Sequence, residues 1–238
     1  MKTLRYLAVS LGVLVLAAGL CAKDFEGKIR FKMTGLGHAA RNADGESAMF
    51  MNYFIKAGLI RMETEIQPGK VGCMIIDSAK REMTMLMPEQ KMYMVMKTPE
   101  PRKTEGQAAP AQDAEIVRTG KTETILGYKC EQVIVKSKDG ETETWSAEGL
   151  GTFHAMSRGG PMGRPAPASA WEKALADKGF FPLRVVHHDK SGKETMRMEA
   201  VSIDQQSVPD EMFVPPADYQ KFEMPSIPGM GGFGRGSE

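Results

Sequence analysis

The sequence predicts a mainly β fold, built as an antiparallel sheet with one apolar face. Three observations support this prediction. Apolar residues or glycine alternate with charged residues along residues 25–33, short turns separate several such runs, and six methionines take alternate positions on both sides of residues 88–91. Side chains two residues apart on a strand point to the same face, and short connections join antiparallel neighbours.

The expected strands are runs of alternating, β-branched or aromatic residues bounded by turn residues. In chain order they are residues 25–33, 49–56, 59–66, 71–77, 83–87, 92–96, 115–121, 128–136, 141–147, 183–188 and 194–203. For the strands up to residue 96, short connections predict antiparallel neighbours and a meander, in which each strand pairs with the next one along the chain.

One helix is expected, beginning at Ser169. Glu172 completes a capping box with Ser169, Trp171 and Leu175 share one face, and Gly179 ends the helix. The fold class is therefore α+β with β predominant.

Residues 1–22 have the pattern of a secretory signal peptide. A basic start precedes an almost wholly apolar run, residues 7–20, which is short for a membrane span. Cys21 raises the alternative of a lipoprotein anchor, but such signals have a small residue before the cysteine, and here that residue is Leu20. We expect cleavage near Ala22 and a periplasmic or secreted protein without a transmembrane segment.

Residues 23–224 are expected to form a single β-rich domain. Two segments, near 98–113 and 157–168, are rich in proline with polar residues or glycine and are expected to be mobile loops. The glycine-rich tail, residues 225–238, is expected to be disordered.

The charge of the chain argues against nucleic acid as a partner. Loss of the signal removes Lys2 and Arg5 and no acidic residue, so the formal charge falls from +1 to −1. A nearly neutral chain without a basic block has no electrostatic footprint for nucleic acid. The oligomeric state is not indicated.

Cleavage after Ala22 leaves two cysteines, Cys73 and Cys130. An even number in an exported protein is compatible with a disulfide, which would add roughly 4 kcal/mol of stability in the chain-entropy model. The other interpretation is two separate buried thiols. The spacing alone does not decide between them.

The methionines are the candidate ligand-binding residues. If residues 88–91 close a hairpin, three facing pairs lie on one side of the sheet, and two methionines near the end of the chain continue the pattern. The residues are Met83, Met85, Met87, Met92, Met94, Met96, Met196 and Met198. Flexible, polarisable methionine suits a filled core, an apolar cavity for lipid-like ligands, or Cu(I) capture by thioethers.

No catalytic or metal-ligating motif is recognised. His187 and His188 are adjacent on an expected strand and would point to opposite faces, and His38 and His154 lie in loop-like segments without ligand spacing. Neither a nucleophile elbow nor a zinc-protease helix is present. We expect no enzyme, no cofactor and no metal site among these histidines.

Four segments carry a family resemblance. They are YFIKAGLIRME at 53–63, MLMPEQKMYMVM at 85–96, TGKTETILGYKCEQVIVKSKDGETETW at 119–145 and PLRVVHHDKSGKETMRME at 182–199. The chain resembles an uncharacterised family of exported bacterial domains, distantly similar to the LolA-like lipoprotein-carrier proteins. The resemblance implies a strongly curved antiparallel sheet or half-barrel, with one or two helices on its concave face and an apolar cavity for acyl chains.

The sequence therefore predicts a non-catalytic binding protein for an apolar ligand such as a lipid or a lipoprotein acyl chain. The alternative is a structural or interaction domain with a filled methionine-rich core. Cu(I) binding by methionine thioethers is a third interpretation.

Overall fold

The computed structural model describes residues 25–35, 48–67, 70–97, 114–138, 140–151, 153 and 180–223. In this part the chain forms twelve strands. They are β1 Gly27–Thr34, β2 Ala48–Lys56, β3 Leu59–Gln67, β4 Lys70–Asp77, β5 Glu82–Met87, β6 Met92–Lys97, β7 Glu115–Ile125, β8 Tyr128–Ser137, β9 Gly140–Ala147, β10 Phe181–His188, β11 Glu194–Gln205 and β12 Gln220–Lys221.

All twelve strands belong to one sheet, in the order β12-β6-β5-β4-β3-β2-β1-β11-β10-β9-β8-β7. Strands β1 to β6 form one antiparallel meander and β7 to β11 form a second. Antiparallel pairing of β1 with β11 joins the two. The last strand, β12, pairs in parallel with β6. The sheet is open, with β7 at one edge and β12 at the other.

The predicted class, mainly antiparallel β, is confirmed. Of the expected half-barrel, the structure supports only that the sheet is not closed into a barrel. The expected helices on one face are not supported, because the helical elements of the described residues are two 3₁₀ turns, Pro88–Gln90 and Asp210–Phe213. The candidate helix 169–179 lies outside those residues.

Other expectations also fall outside the described part of the chain. They are the signal peptide 1–22, the loops near 98–113 and 157–168, and the tail 225–238. They remain predictions.

The turn between β5 and β6 sets the register of the methionine hairpin. Pro88 begins a 3₁₀ turn, and Lys91 ends it with a left-handed φ of 48°. The Lys91 amide donates to the Pro88 carbonyl at 3.2 Å. Four residues thus reverse the chain, so Met87 and Met92 become the first facing pair.

The larger apolar core is centred on aromatic rings from β1, β2 and β10. The rings of Phe31 and Tyr53 meet edge to face with centroids 5.6 Å apart, and Phe181 lies 6.2 Å from Phe31 and 6.1 Å from Tyr53. All three residues are fully buried. Such pairs add stabilisation beyond that of burial alone, and they anchor the centre of the sheet where its two meanders meet.

Candidate functional site

The six hairpin methionines share one face of the sheet, in the pairing expected from the sequence. Met83 is opposite Met96, Met85 is opposite Met94, and Met87 is opposite Met92. Residues directly opposite each other on neighbouring strands point to the same side. We call this side, defined by the six residues, the methionine face.

A continuous row extends this face across five strands. In cross-strand register, Tyr53, Met62, Met74, Met85 and Met94 follow one another on β2, β3, β4, β5 and β6. The first two and Met94 are buried, whereas Met74 and Met85 are half-buried. Met62 and Met74 were not among the binding residues predicted from the sequence. The short turns at residues 57–58 and 78–81 would have placed both in the row.

Met198 and Met196 lie on the methionine face as well, on a strand beyond the centre of the sheet. Met198 of β11 is opposite Met33 of β1, which in turn is opposite Met49 of β2. Met196 lies two residues before Met198 and is opposite His187 of β10. The structure therefore places both predicted residues on the same face as the hairpin, four or more strands away from it.

The core of the methionine face does not extend to the end of the hairpin. Partly buried residues packed against the large apolar cluster include Met74 and Met83. Among the described residues, Met85, Met87 and Met92 are not part of that cluster and keep some exposure. The face therefore passes from solid core at Tyr53 to the half-buried Met85, Met87 and Met92 of the hairpin, although Met94 is buried.

The chain itself covers the central part of this face. Leu150, just after β9, is fully buried. The ring of Phe153 stacks on Tyr53 with centroids 5.7 Å apart and meets Phe181 edge to face at 5.4 Å. The segment that follows β9 thus packs over the aromatic centre of the sheet.

The opposite side of β3 to β6 is covered by residues 206–219, which we call the C-terminal strap. Val208 and Phe213 of the strap are buried in a second apolar cluster with Cys73, Ile75 and Leu86. Leu86 is next to Met85 on β5, so adjacent residues of one strand face the two sides. A segment of the same chain therefore packs on this side of the hairpin strands.

Basic side chains hold the strap in place. The Lys56 ammonium donates to the Val208 carbonyl at 2.8 Å and pairs with Asp210 at 2.6 Å. The hydrogen bond that Lys56 donates to the Asp210 carboxylate raises the pKa of Lys56. Arg61 donates to the Met212 carbonyl at 2.9 Å. These hydrogen bonds provide donors for two backbone carbonyls of the strap, which lies outside the strand pairing of the sheet.

The two cysteines do not form a disulfide. Cys73 and Cys130 are both buried and free. Cys73 lies on β4 in the strap-side cluster, and Cys130 lies on β8 in the larger core. Six strands separate β4 from β8 in the sheet, whereas a disulfide needs Cα atoms within about 7 Å. The structure therefore agrees with the interpretation of two separate buried thiols.

The two described histidines lie on different faces, as their adjacency predicted. His187 faces the same side as Met196, and its Nδ1 is 3.0 Å from the Thr142 hydroxyl. His188 pairs in register with Glu141 and Glu194 instead. The other two, His38 and His154, lie outside the described residues.

Four carboxylates of the described residues have pKa values below their ordinary range. Where their pKa values shift, these are lowered by donors such as the Lys80 amide, the Ser191 hydroxyl and the side chains of Arg197 and Lys91. A general acid at neutral pH requires the opposite shift. The carboxylates concerned are Asp77, Asp189, Glu194 and Asp218.

Comparison with protein families identifies the domain. A family described as a domain of unknown function, DUF4412, matches residues 25–219. The chain belongs to this family. A comparison with curated protein sequences finds no match. The expected resemblance to an uncharacterised family is thereby confirmed, and DUF4412 membership covers every described strand except β12.

Solved structures similar to this DUF4412 chain include an uncharacterised conserved protein from Thermus thermophilus. It has 11% sequence identity and a TM-score of 0.48, and the match covers 84% of this chain and 91% of that chain. MucB in the Pseudomonas aeruginosa MucA/MucB complex has 11% identity, a TM-score of 0.42 and coverage of 84% and 58%. A putative outer membrane lipoprotein-sorting protein domain from Vibrio parahaemolyticus has 10% identity, a TM-score of 0.23 and coverage of 81% and 89%.

Among the described residues, no helix is both long enough and apolar enough to cross a bilayer.

Proposed function

We propose that this DUF4412 protein is an exported, non-catalytic binding protein whose methionine face takes an apolar chain, in the class of lipid or lipoprotein acyl chains. The observation that supports this most directly is the row from Tyr53 to Met94. It runs from fully buried core to the half-buried Met85 without a change of face.

The two sides of the hairpin strands differ in what covers them. The strap packs on the side of Leu86 and Cys73. On the other side, Met85, Met87 and Met92 retain exposed surface although all three are apolar. An apolar ligand that covered these side chains would bury that surface and supply the packing that the strap provides on the reverse.

The residue type fits a ligand of variable shape. Methionine has three rotatable bonds and a polarisable sulfur, so a row of methionines can adapt to different chains. Each CH₂ of an acyl chain that leaves water contributes about 0.8 kcal/mol, so a ten-carbon segment contributes about 8 kcal/mol before binding costs. Binding of this kind needs no strong polar anchor. The resemblance of the sequence to lipoprotein carriers favours the same ligand class.

Export is part of the proposal. The basic start, the short apolar run and the cleavage pattern around Ala22 support it. Residues 23–224 would then be the working domain, present in the periplasm or outside the cell.

A pair of lysine substitutions on one strand tests the ligand-binding proposal. Met85→Lys places a charge on the methionine face, and Thr84→Lys places the same charge on the opposite face at a neighbouring, similarly half-buried position. Uptake of a fluorescent fatty acid is measured for the exported protein and both variants. We expect Met85→Lys to fold and lose at least 90% of uptake, while Thr84→Lys retains it.

The filled-core alternative gives a different result. If the methionine face is solid core, the wild-type protein takes up no acyl probe, and Met85→Lys unfolds because its charge is buried without a partner. Circular dichroism of both variants separates loss of folding from loss of binding.

A further inference from the structure

A second feature of the methionine face lies away from the hairpin, where a histidine and a thioether meet. His187 of β10 and Met196 of β11 are directly opposite each other. Cβ atoms of such a pair are about 4.5–5.5 Å apart. Both side chains are half-buried, and Met196 packs against the large apolar cluster. The imidazole therefore sits at the margin of an apolar core rather than in bulk water.

The imidazole is oriented by its other neighbour. Thr142 of β9 is opposite His187 on the remaining side, and its hydroxyl oxygen lies 3.0 Å from Nδ1. In the tautomer in which Nδ1–H donates to this oxygen, Nε2 keeps its lone pair. Histidines that bind metals have their second nitrogen held in this way by an outer hydrogen-bond partner. The ring thus has one nitrogen fixed and the other available as a ligand.

Two more thioethers lie on the same face at neighbouring register positions. Met198 follows Met196 by two residues on the same strand face and is opposite Met33 of β1. Met33 and Met196 are half-buried, and Met198 is buried. Gly35 lies beside the Met196 backbone, since a Cβ there would be 2.9 Å from the Met196 Cα. Gly35 therefore adds no side chain beside Met196.

We propose that His187 Nε2 and the sulfur atoms of Met196 and Met33 form a binding site for Cu(I). Thioether sulfur is a soft ligand and imidazole suits copper, whereas hard cations such as Mg²⁺ and Ca²⁺ require oxygen ligands. All three ligands are neutral, which suits a monovalent ion near an apolar core. The ion binds and leaves as Cu(I), so no electron transfer is involved. The site is distinct from the proposed acyl-binding hairpin.

Competition with a chromophoric chelator tests the site. The exported protein is titrated without oxygen against the Cu(I)–bicinchoninate complex, and the loss of chelator absorbance reports transfer. We expect one Cu(I) per chain. Met196→Leu removes the sulfur and nearly conserves volume, so the protein should fold, but its affinity for Cu(I) should fall at least tenfold.

A matched variant locates the ion. Met85→Leu makes the same chemical change on the hairpin and should leave the Cu(I) affinity unchanged. X-ray absorption of the complex should contain both nitrogen and sulfur ligands, with the nitrogen lost in His187→Gln. The proposal is overturned if the wild-type protein removes no Cu(I) from the chelator, if Met196→Leu binds normally, or if Met85→Leu weakens binding equally. None of these results depends on acyl-chain binding.

Discussion

Met85 of β5 and Leu86, its neighbour in the chain, contact different parts of the protein on opposite sides of the same strand. Leu86 is 4% exposed and packs in the cluster that the C-terminal strap covers. Met85 faces the other side, opposite Met94, and is half-buried at the margin of the main core. One strand thus separates a side closed by the chain itself from a side that we propose receives a ligand.

The strap should account for a measurable share of stability. Phe213 is 7% exposed within the strap-side cluster. Replacing a buried phenylalanine with alanine removes its transfer free energy and leaves a cavity, so Phe213→Ala should lower the free energy of unfolding by about 3 kcal/mol. Urea denaturation followed by tryptophan fluorescence measures this change.

A neighbouring residue supplies the control for the strap. Val214 is 54% exposed, so Val214→Ala should change the unfolding free energy by less than about 0.5 kcal/mol. Equal stability of the wild-type protein and Phe213→Ala would mean that the strap does not pack on the sheet in solution.

The buried thiols should be present and slow to react. Burial raises the pKa of Cys73 from 9.0 to about 11. The thiolate is the reactive form, so at pH 8 its population should be roughly one hundredth of that of an ordinary thiol. We expect a chain beginning at Lys23 to react with two equivalents of a thiol reagent in denaturant without reductant, and far more slowly when folded. Detection of fewer than two thiols in denaturant would contradict this.

The same pKa shift makes stability depend on pH. Because the folded-state pKa of Cys73 lies above its unfolded value, its contribution to stability is complete below about pH 9 and is lost as pH rises toward 11. Cys73→Ser should reduce this loss between pH 9 and 11. Unfolding free energies at pH 8 and pH 10.5, compared between the two proteins, check the sign.

Processing of the chain can be tested by intact mass. Leu20 before Cys21 leads us to expect that the exported form begins near Lys23 and carries no lipid. A mass corresponding to a diacylated Cys21 at the amino terminus would contradict this expectation and place the protein on a membrane surface.

Local pattern was sufficient to predict eleven of the twelve strands of the described residues, all but β12, and the hairpin register. Period two fixed which residues share a face, and the four residues from Pro88 to Lys91 fixed the pairing of Met87 with Met92. The turn at Ser191-Gly192 would also have suggested that His187 and Met196 face each other, but a register shift next to His187 makes such counting uncertain from sequence alone.

Long-range features could not be predicted in the same way. Pairing of β1 with β11 depends on two strands more than 150 residues apart in the chain. The strap has no periodicity, because Val208 and Phe213 reach the sheet from irregular backbone that is held by Lys56 and Arg61. These contacts follow from tertiary packing, which overrides local preference.

Methionine methyl resonances test the central claim most directly. The protein is labelled with ¹³C-methyl methionine, assigned by Met→Leu substitutions, and titrated with dodecanoate below its micelle concentration. We predict saturable shifts for the methyl groups of Met85, Met87, Met92 and Met96, and none for Met212, which lies in the strap on the opposite side. Hairpin resonances that do not move, or a Met212 resonance that moves equally, would contradict the proposal that the methionine face binds apolar chains.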